Sequence, residues 1–331
     1  MLGRVGETLL RKWLLGDFGL DVVEVTSVGY GADVAARVWK VVTGANAYAV
    51  KWSGAGTNTG HQVAAYLADC GVPGVPEMVR TVDGGLWSVH AKKRLTVVPW
   101  IDGVRAAESG LSGEQWGAYG RLLRRVHDAE LPDRLRESLP KHSHIDARMP
   151  AVEREVRTRL EAPEGDVQEE LAGVWAEYDE VIADLCRNRP REPHGPRVAC
   201  HGDPHIGNVL VGRSDAQDGV GRRDARGGGV AELHLIDWDD VILAPREQDL
   251  MFMLGGMGAV GPATAAEQGA FLAGYGQHEL DEDAVRYYRH VRAYEDVIGW
   301  SHQAITGPDE AYALDVTKGI LSTGLAALAT R

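Results

Sequence analysis

A chain of 331 residues, 44% hydrophobic with nine tryptophans, excludes a disordered protein and predicts two domains, or two lobes around a cleft. Its net charge of −13, from 35 Lys+Arg against 48 Asp+Glu, excludes a nucleic-acid scaffold, which needs clustered cations against phosphates. Cys70, Cys186 and Cys200 follow no framework spacing, and no stretch approaches the ~18 uncharged apolar residues of a membrane span, so the sequence predicts a cytoplasmic globular protein with no membrane association and no obligate protein partner.

The opening segment, MLGRVGETLLRKWLLGDFGL, interrupts its apolar positions with Arg4, Glu7, Arg11, Lys12 and Asp17. That is the pattern of an amphipathic helix, whereas a secretory signal keeps a continuous apolar core. Residues 22–42 read as a hairpin, two β-branched runs flanking a turn that holds Gly29 and Gly31. A third strand spans Ala47 to Trp52, and a helix runs from His61 to Cys70 with Gly71 as its stop. Strands are expected around Met78–Val82 and Leu86–Val89, joined by Asp83-Gly84-Gly85. Leu95 to Gly103 is an apolar strand broken by Pro99, the expected connector between lobes.

Beyond the connector the periodicity becomes helical, over Glu114–Ala129, Ala151–Leu160 and Val167–Arg187. Two short strands, NVLVG and ELHLIDW, interrupt the helices. The run GRSDAQDGVGRRDARGGG between them has no apolar face and reads as a surface loop; it lacks the GxxxxGK[ST] order of a phosphate loop. The last third is helical, most clearly at 269–276 and 284–305. This order predicts a β-rich part over 1–101 and a larger helical part over 102–331 that carries one hairpin. Charge divides the same way: the first part holds ten basic and eight acidic residues, a net of +2, and the second a net of −15. One part tolerates an anionic ligand and the other attracts a small cation, or the acidic helices simply face water.

Chemistry concentrates in His201-Gly202-Asp203-Pro204-His205-Ile206-Gly207-Asn208, before one strand, and in Ile236-Asp237-Trp238-Asp239, after the next. An Asp, an Asn five residues on and a second Asp across a hairpin suit magnesium, which takes hard oxygen ligands and leaves room for phosphate oxygens. In the phosphoryl-transfer pattern of kinases the first Asp takes the hydroxyl proton and the other two residues hold metal. Asp203 is thus the candidate base, and Asn208 and Asp237 the candidate metal ligands. A structural histidine bracing the loop is the simpler reading of His201, and a surface or loop position the simpler reading of His127.

HGDPHIGN followed by LIDWDD resembles the motif pair of the aminoglycoside phosphotransferase family. GYGAD, APREQDLMFMLGGMG, FLAGYG and YYRHVRAYED resemble its spectinomycin-phosphorylating branch, so the likeness runs along nearly the whole chain. The resemblance implies an α+β, protein-kinase-like two-lobed fold with a small β-rich N-lobe and a larger helical C-lobe. It implies ATP, Mg²⁺ and phosphorylation of a hydroxyl on an aminocyclitol antibiotic, spectinomycin at its 9-hydroxyl, conferring resistance. Another aminoglycoside, choline or a small amino or sugar alcohol is the alternative.

By the same resemblance Lys51 steadies the α- and β-phosphates, Gly29 and Gly31 belong to the loop over them, and Val98, Trp100 and Ile101 meet adenine. Asp249 matches a buried acid that braces the catalytic loop. Asp240, Glu295 and Asp296 either bind substrate ammonium groups or cap and solvate helices. One departure stands out: Trp52 to Ala68 contains no acidic residue to pair with Lys51. Thr59, His61 and Gln62 stand there instead, so either a neutral partner holds the lysine or the acid comes from elsewhere in the chain.

Overall fold

The computed structural model describes residues 6–28, 36–141, 148–188, 191–212, 232–255, 263–322 and 324. Leu10, Leu14 and Phe18 recur every four residues, so helix α1 (Glu7–Phe18) has one apolar face. That face is buried in one core with Trp39, Val41, Val50, Trp52, Leu95 and Val97 of the neighbouring sheet. Gly19 ends the helix at φ 66°, a left-handed conformation that glycine adopts without a Cβ penalty. The sheet is antiparallel, built from β1 (Val22–Val28), β2 (Arg37–Thr43) and β3 (Ala47–Ser53), then, after α2 (Asn58–Asp69), from β4 (Ser88–His90) and β5 (Lys93–Pro99). Its order is β1-β2-β3-β5-β4.

The chain continues through β6 (Gly103–Arg105), α3 (Ala106–Ser109), α4 (Gly113–His127), α5 (Asp133–Ser138), α6 (Met149–Glu161), α7 (Asp166–Glu177) and α8 (Asp179–Arg187). Strands β7 (Val198–Cys200), β8 (Val209–Gly212), β9 (Leu233–Leu235) and β10 (Ile242–Ala244) precede α9 (Glu247–Gly255), α10 (Ala265–Tyr275), α11 (Glu282–Thr306) and α12 (Glu310–Ser322). The architecture is the expected mixed one, an antiparallel N-terminal lobe followed by a helical C-terminal lobe. In the helical core Tyr294, Val297, Ile298 and Ile305 of α11 pack with Leu171, Trp175, Ile182, Leu185 and Leu314.

Two compact units divide the chain: Met1–Gln115, Ala129–Leu139 and Ile206–Val241 form one, and Trp116–Asp128, Pro140–His205 and Ile242–Arg331 the other. This is not the cut at residue 101 read from the sequence. Past that point β6 pairs with β8, Gly103 opposite Gly212 and Arg105 opposite Leu210, and β8 pairs with β9. These ladders carry residues 206–241 into the unit of the first sheet. A second short ladder, β7 with β10, lies in the helical unit.

Three local expectations change. Residues 78–82 form no strand: Val79 makes one bond to β5, its N–H to Val97 O at 2.9 Å, while the Thr81 amide turns back to Gly85. The expected 167–187 helix is two helices, α7 and α8, because Tyr178 between them leaves helical geometry at φ −105°, ψ 21°. The apolar run 95–103 splits into β5 and β6, which belong to different sheets. The turn 29–35, with Gly29 and Gly31, and the Gly/Arg/Asp run 213–231 lie outside the described residues. Among the described residues no helix is long and apolar enough to cross a membrane. Cys70, Cys186 and Cys200 are free thiols.

Candidate active site

Asp203 follows β7 in a loop whose backbone is fixed from behind. Asp249, fully buried at the start of α9, accepts the His201 N–H at 2.7 Å on one oxygen and the Gly202 N–H at 2.9 Å on the other. Gly202 stands at φ 91°, where a side chain would be strained. His127 closes the brace, with Nε2 2.9 Å from Asp249 and Nδ1 2.7 Å from the Tyr275 hydroxyl. It is 2% exposed, so the surface position expected for His127 is corrected: Leu123 and Val126 on the same face of α4 turn it into the core. The Tyr119 hydroxyl donates to the Pro204 carbonyl.

The Asp203 carboxylate itself meets a cation. Arg292, from α11, places Nη1 3.0 Å from its Oδ1, and His205 places Nε2 3.5 Å from its Oδ2. Burial pushes the Asp203 carboxyl up, but Arg292, His205 and His201 outweigh it and hold the group well below the usual carboxylate range. Arg292 is shared. Its Nε donates to Asp296 Oδ1 at 2.8 Å, and the guanidinium lies 5.5 Å from the Phe252 ring centroid. Asp296 is buried; burial pushes its carboxyl up despite the opposing guanidinium.

The other unit assembles the second half of the motif. Lys51, on β3, donates from Nζ to Asp237 Oδ1 at 2.7 Å and to Asp239 Oδ2 at 2.6 Å. Burial would lower this ammonium; the two carboxylates outweigh it and hold it above the usual lysine range. Asp237 adopts a left-handed backbone, φ 68° and ψ 64°, rare for a residue with a Cβ and common at sites where a side chain must be aimed. Its side chain is 43% exposed. Asn208 is buried, and its carbonyl accepts the Ile236 N–H at 2.9 Å, which ties the Asn segment to the strand before Asp237. Arg105 adds a bond from Nη1 to the Gly207 carbonyl at 2.7 Å.

The remaining candidates are scattered. Val98 pairs with Ala49 inside the sheet, and the Trp100 N–H donates to Ala47 O at 2.9 Å, so that donor is already committed. Ile101 is half-buried after β5. Asp240 is exposed in the Trp238–Asp240 turn of the first unit, whereas Glu295, half-buried, and Asp296 lie in the helical unit.

The sequence from residue 28 to 289 matches the model of a phosphotransferase enzyme family, APH. The chain belongs to that family. In fold this phosphotransferase is similar to spectinomycin phosphotransferase APH(9)-Ia solved with ADP and spectinomycin, at 22% identity and TM-score 0.75, covering 98% of this chain and 97% of that one. An AMP-bound complex of APH(9)-Ia gives 21% identity and TM-score 0.79, with 98% of each chain covered. Plasmodium vivax ethanolamine kinase is similar at 12% identity and TM-score 0.58, over 97% of this chain and 90% of that one. No curated protein matches.

Two residues that contact the candidates were given no role from the sequence, Asp239 beside Lys51 and Arg292 beside Asp203, while His61, which stands where a partner for Lys51 was expected, meets Asp239 instead. Asp239 was visible as the second of the three acids in the IDWDD run. Arg292 lies within the YYRHVRAYED stretch, but nothing in its local spacing ties it to Asp203, which lies far away along the chain.

Proposed function

We propose that the protein transfers the γ-phosphoryl group of ATP to a hydroxyl of a spectinomycin-like aminocyclitol. The observation that carries this reading is the Asp203 carboxylate, ionised beside Arg292 in a loop anchored on Asp249. In phosphoryl transfer a loose transition state asks little of a base before the hydroxyl oxygen engages phosphorus. A carboxylate of low basicity therefore serves by accepting the hydroxyl's hydrogen bond, aiming its lone pair, and taking the proton late. The new O–P bond forms as the bond from the γ-phosphorus to the bridging oxygen breaks, and ADP leaves with that electron pair.

Lys51 is the group that meets the α- and β-phosphates. Asn208 and Asp237 fit Mg²⁺: both offer hard oxygen donors, and Asp237 is 43% exposed while bonded to Lys51. Bound there, the ion supplies positive charge against the phosphate oxygens.

Arg292 sets the protonation of Asp203. Arg292→Ala leaves burial less opposed, so the Asp203 carboxyl rises, and the acid limb of the kcat/KM pH profile moves to higher pH. Activity, complete above that limb, is then lost sooner as pH falls. An acid limb at the same pH in wild type and variant would remove Arg292 from this role.

Substrate choice is supported by the charge of residues 102–331 and by the fold shared with an enzyme solved with spectinomycin. A panel of spectinomycin, kanamycin, choline and ethanolamine, followed by ADP release, tests it directly; turnover of spectinomycin is expected. Kanamycin or choline turnover with spectinomycin untouched would replace the aminocyclitol reading and leave the kinase reading standing. Glu295→Gln should raise the KM for spectinomycin and not that for ATP. Asp296→Asn also releases Arg292, so it should lower kcat as well.

A further inference from the structure

The helix after β3 lacks the acidic partner that Lys51 needs, and the manner in which this helix begins shows what replaces it. Thr57 caps α2, its hydroxyl accepting the Gly60 N–H at 3.0 Å, and the Thr57 N–H donates to the Asp239 carbonyl at 3.0 Å. A Cβ at Gly56 would collide with the Asp239 side chain, and one at Gly60 with the Trp238 carbonyl. The two glycines thus let the first turn of α2 lie directly on the backbone of Trp238 and Asp239. That approach brings His61 Nε2 to 3.1 Å from Asp239 Oδ1, while Lys51 holds Oδ2 of the same carboxylate at 2.6 Å. Both side chains are buried, 9% exposed for His61 and 10% for Asp239. Trp87 stands beside the imidazole, ring centroids 6.2 Å apart.

The two carboxylates on Lys51 are therefore unequal. Asp237 is 43% exposed, open to water and to competing phosphate oxygens, and an exposed pair holds its geometry weakly. Asp239 is enclosed and gripped from its other oxygen, so its direction is set by the histidine. We propose that His61 is a positioning residue for Lys51: acting through Asp239, it supplies from α2 the restraint that an acidic side chain on this helix would supply directly. The proposal rests on the reading of Lys51 as the residue that meets the nucleotide phosphates.

The test is ATP binding to the full chain by calorimetry with Mg²⁺ present, which needs no acceptor. His61→Ala is expected to weaken ATP about tenfold, the scale of losing one charge-assisted hydrogen bond. His61→Gln, which keeps an N–H for the carboxylate, should stay within about threefold of wild type. In a Lys51→Ala background His61→Ala should cost nothing more, because a residue acting only through Lys51 has no separate contribution. A histidine that merely holds the helix in place would weaken binding equally in both backgrounds, and that result overturns the proposal. So does unchanged affinity in His61→Ala while Lys51→Ala weakens ATP. Unchanged affinity in Lys51→Ala overturns the reading of the lysine itself, and the proposal with it. If His61→Ala does not fold, Asp239→Asn, close to isosteric, is read in the same cycle against the same outcomes.

Discussion

Asp203→Asn is expected to lower phosphoryl transfer by about 10²–10⁴-fold, the usual worth of a positioned acid–base group, with ATP affinity close to wild type. Asn matches the carboxylate in shape and keeps a carbonyl oxygen, but it cannot take the hydroxyl's proton. The loop should survive the change. Its backbone is held by Asp249, which bonds the His201 and Gly202 amides at 2.7 and 2.9 Å without using the Asp203 side chain. Arg292 also keeps a partner, because Asp296 accepts its Nε at 2.8 Å. Rapid-quench turnover beside a nucleotide titration separates the two effects. A variant retaining more than about a tenth of wild-type turnover would show that Asp203 is not the base.

Asp237→Ala should lose both turnover and the Mg²⁺-dependent part of nucleotide binding. Turnover is expected to fall by at least about 10²-fold, as when one electrostatic contact to the transferred group is removed. Folding should be little affected: the side chain is 43% exposed, and Lys51 retains Asp239 at 2.6 Å. Ala also cannot adopt the left-handed φ of 68° as readily as Asp, so part of any stability loss reflects backbone and not charge. ATP titrated against increasing Mg²⁺ reads the result. Metal dependence unchanged from wild type would rule Asp237 out as a ligand, whatever the effect on rate.

Much of the candidate site was legible in short stretches. Asp203, Asn208 and Asp237 stand out because phosphoryl transfer needs those residue types at fixed spacing beside a strand, and the spacing lies within one loop and one hairpin. Asp249 was indicated only by the family resemblance of PREQDL, since its own spacing carries no chemistry. His127 was misread: a lone histidine near a helix end gives no sign of its burial, and the Asp249 and Tyr275 that surround it come from α9 and α10. The helix break at Tyr178 was also invisible, because α7 and α8 both continue an amphipathic pattern across it.

What the sequence by itself determined is whatever depends on near neighbours: the apolar face of α1 at Leu10, Leu14 and Phe18, the strands of the first sheet, the order of β-rich and helical parts, and the family to which the two motifs point. Periodicity and spacing carry that information because the interactions behind them act over a few residues. Only the tertiary structure decided which charges meet. Lys51 finds Asp237 and Asp239 across 186 and 188 residues of chain, and Asp203 finds Arg292 on a helix far along the chain. β6 joins the hairpin strand β8 across a sequence boundary that composition had drawn at residue 101. Such pairings follow from the docking of whole elements, where close approach, as at Gly56 and Gly60, sets which side chains share a buried space. A charge in water is nearly indifferent to its partner, whereas a buried one must be matched, so the fold selects the partner that the local sequence leaves open.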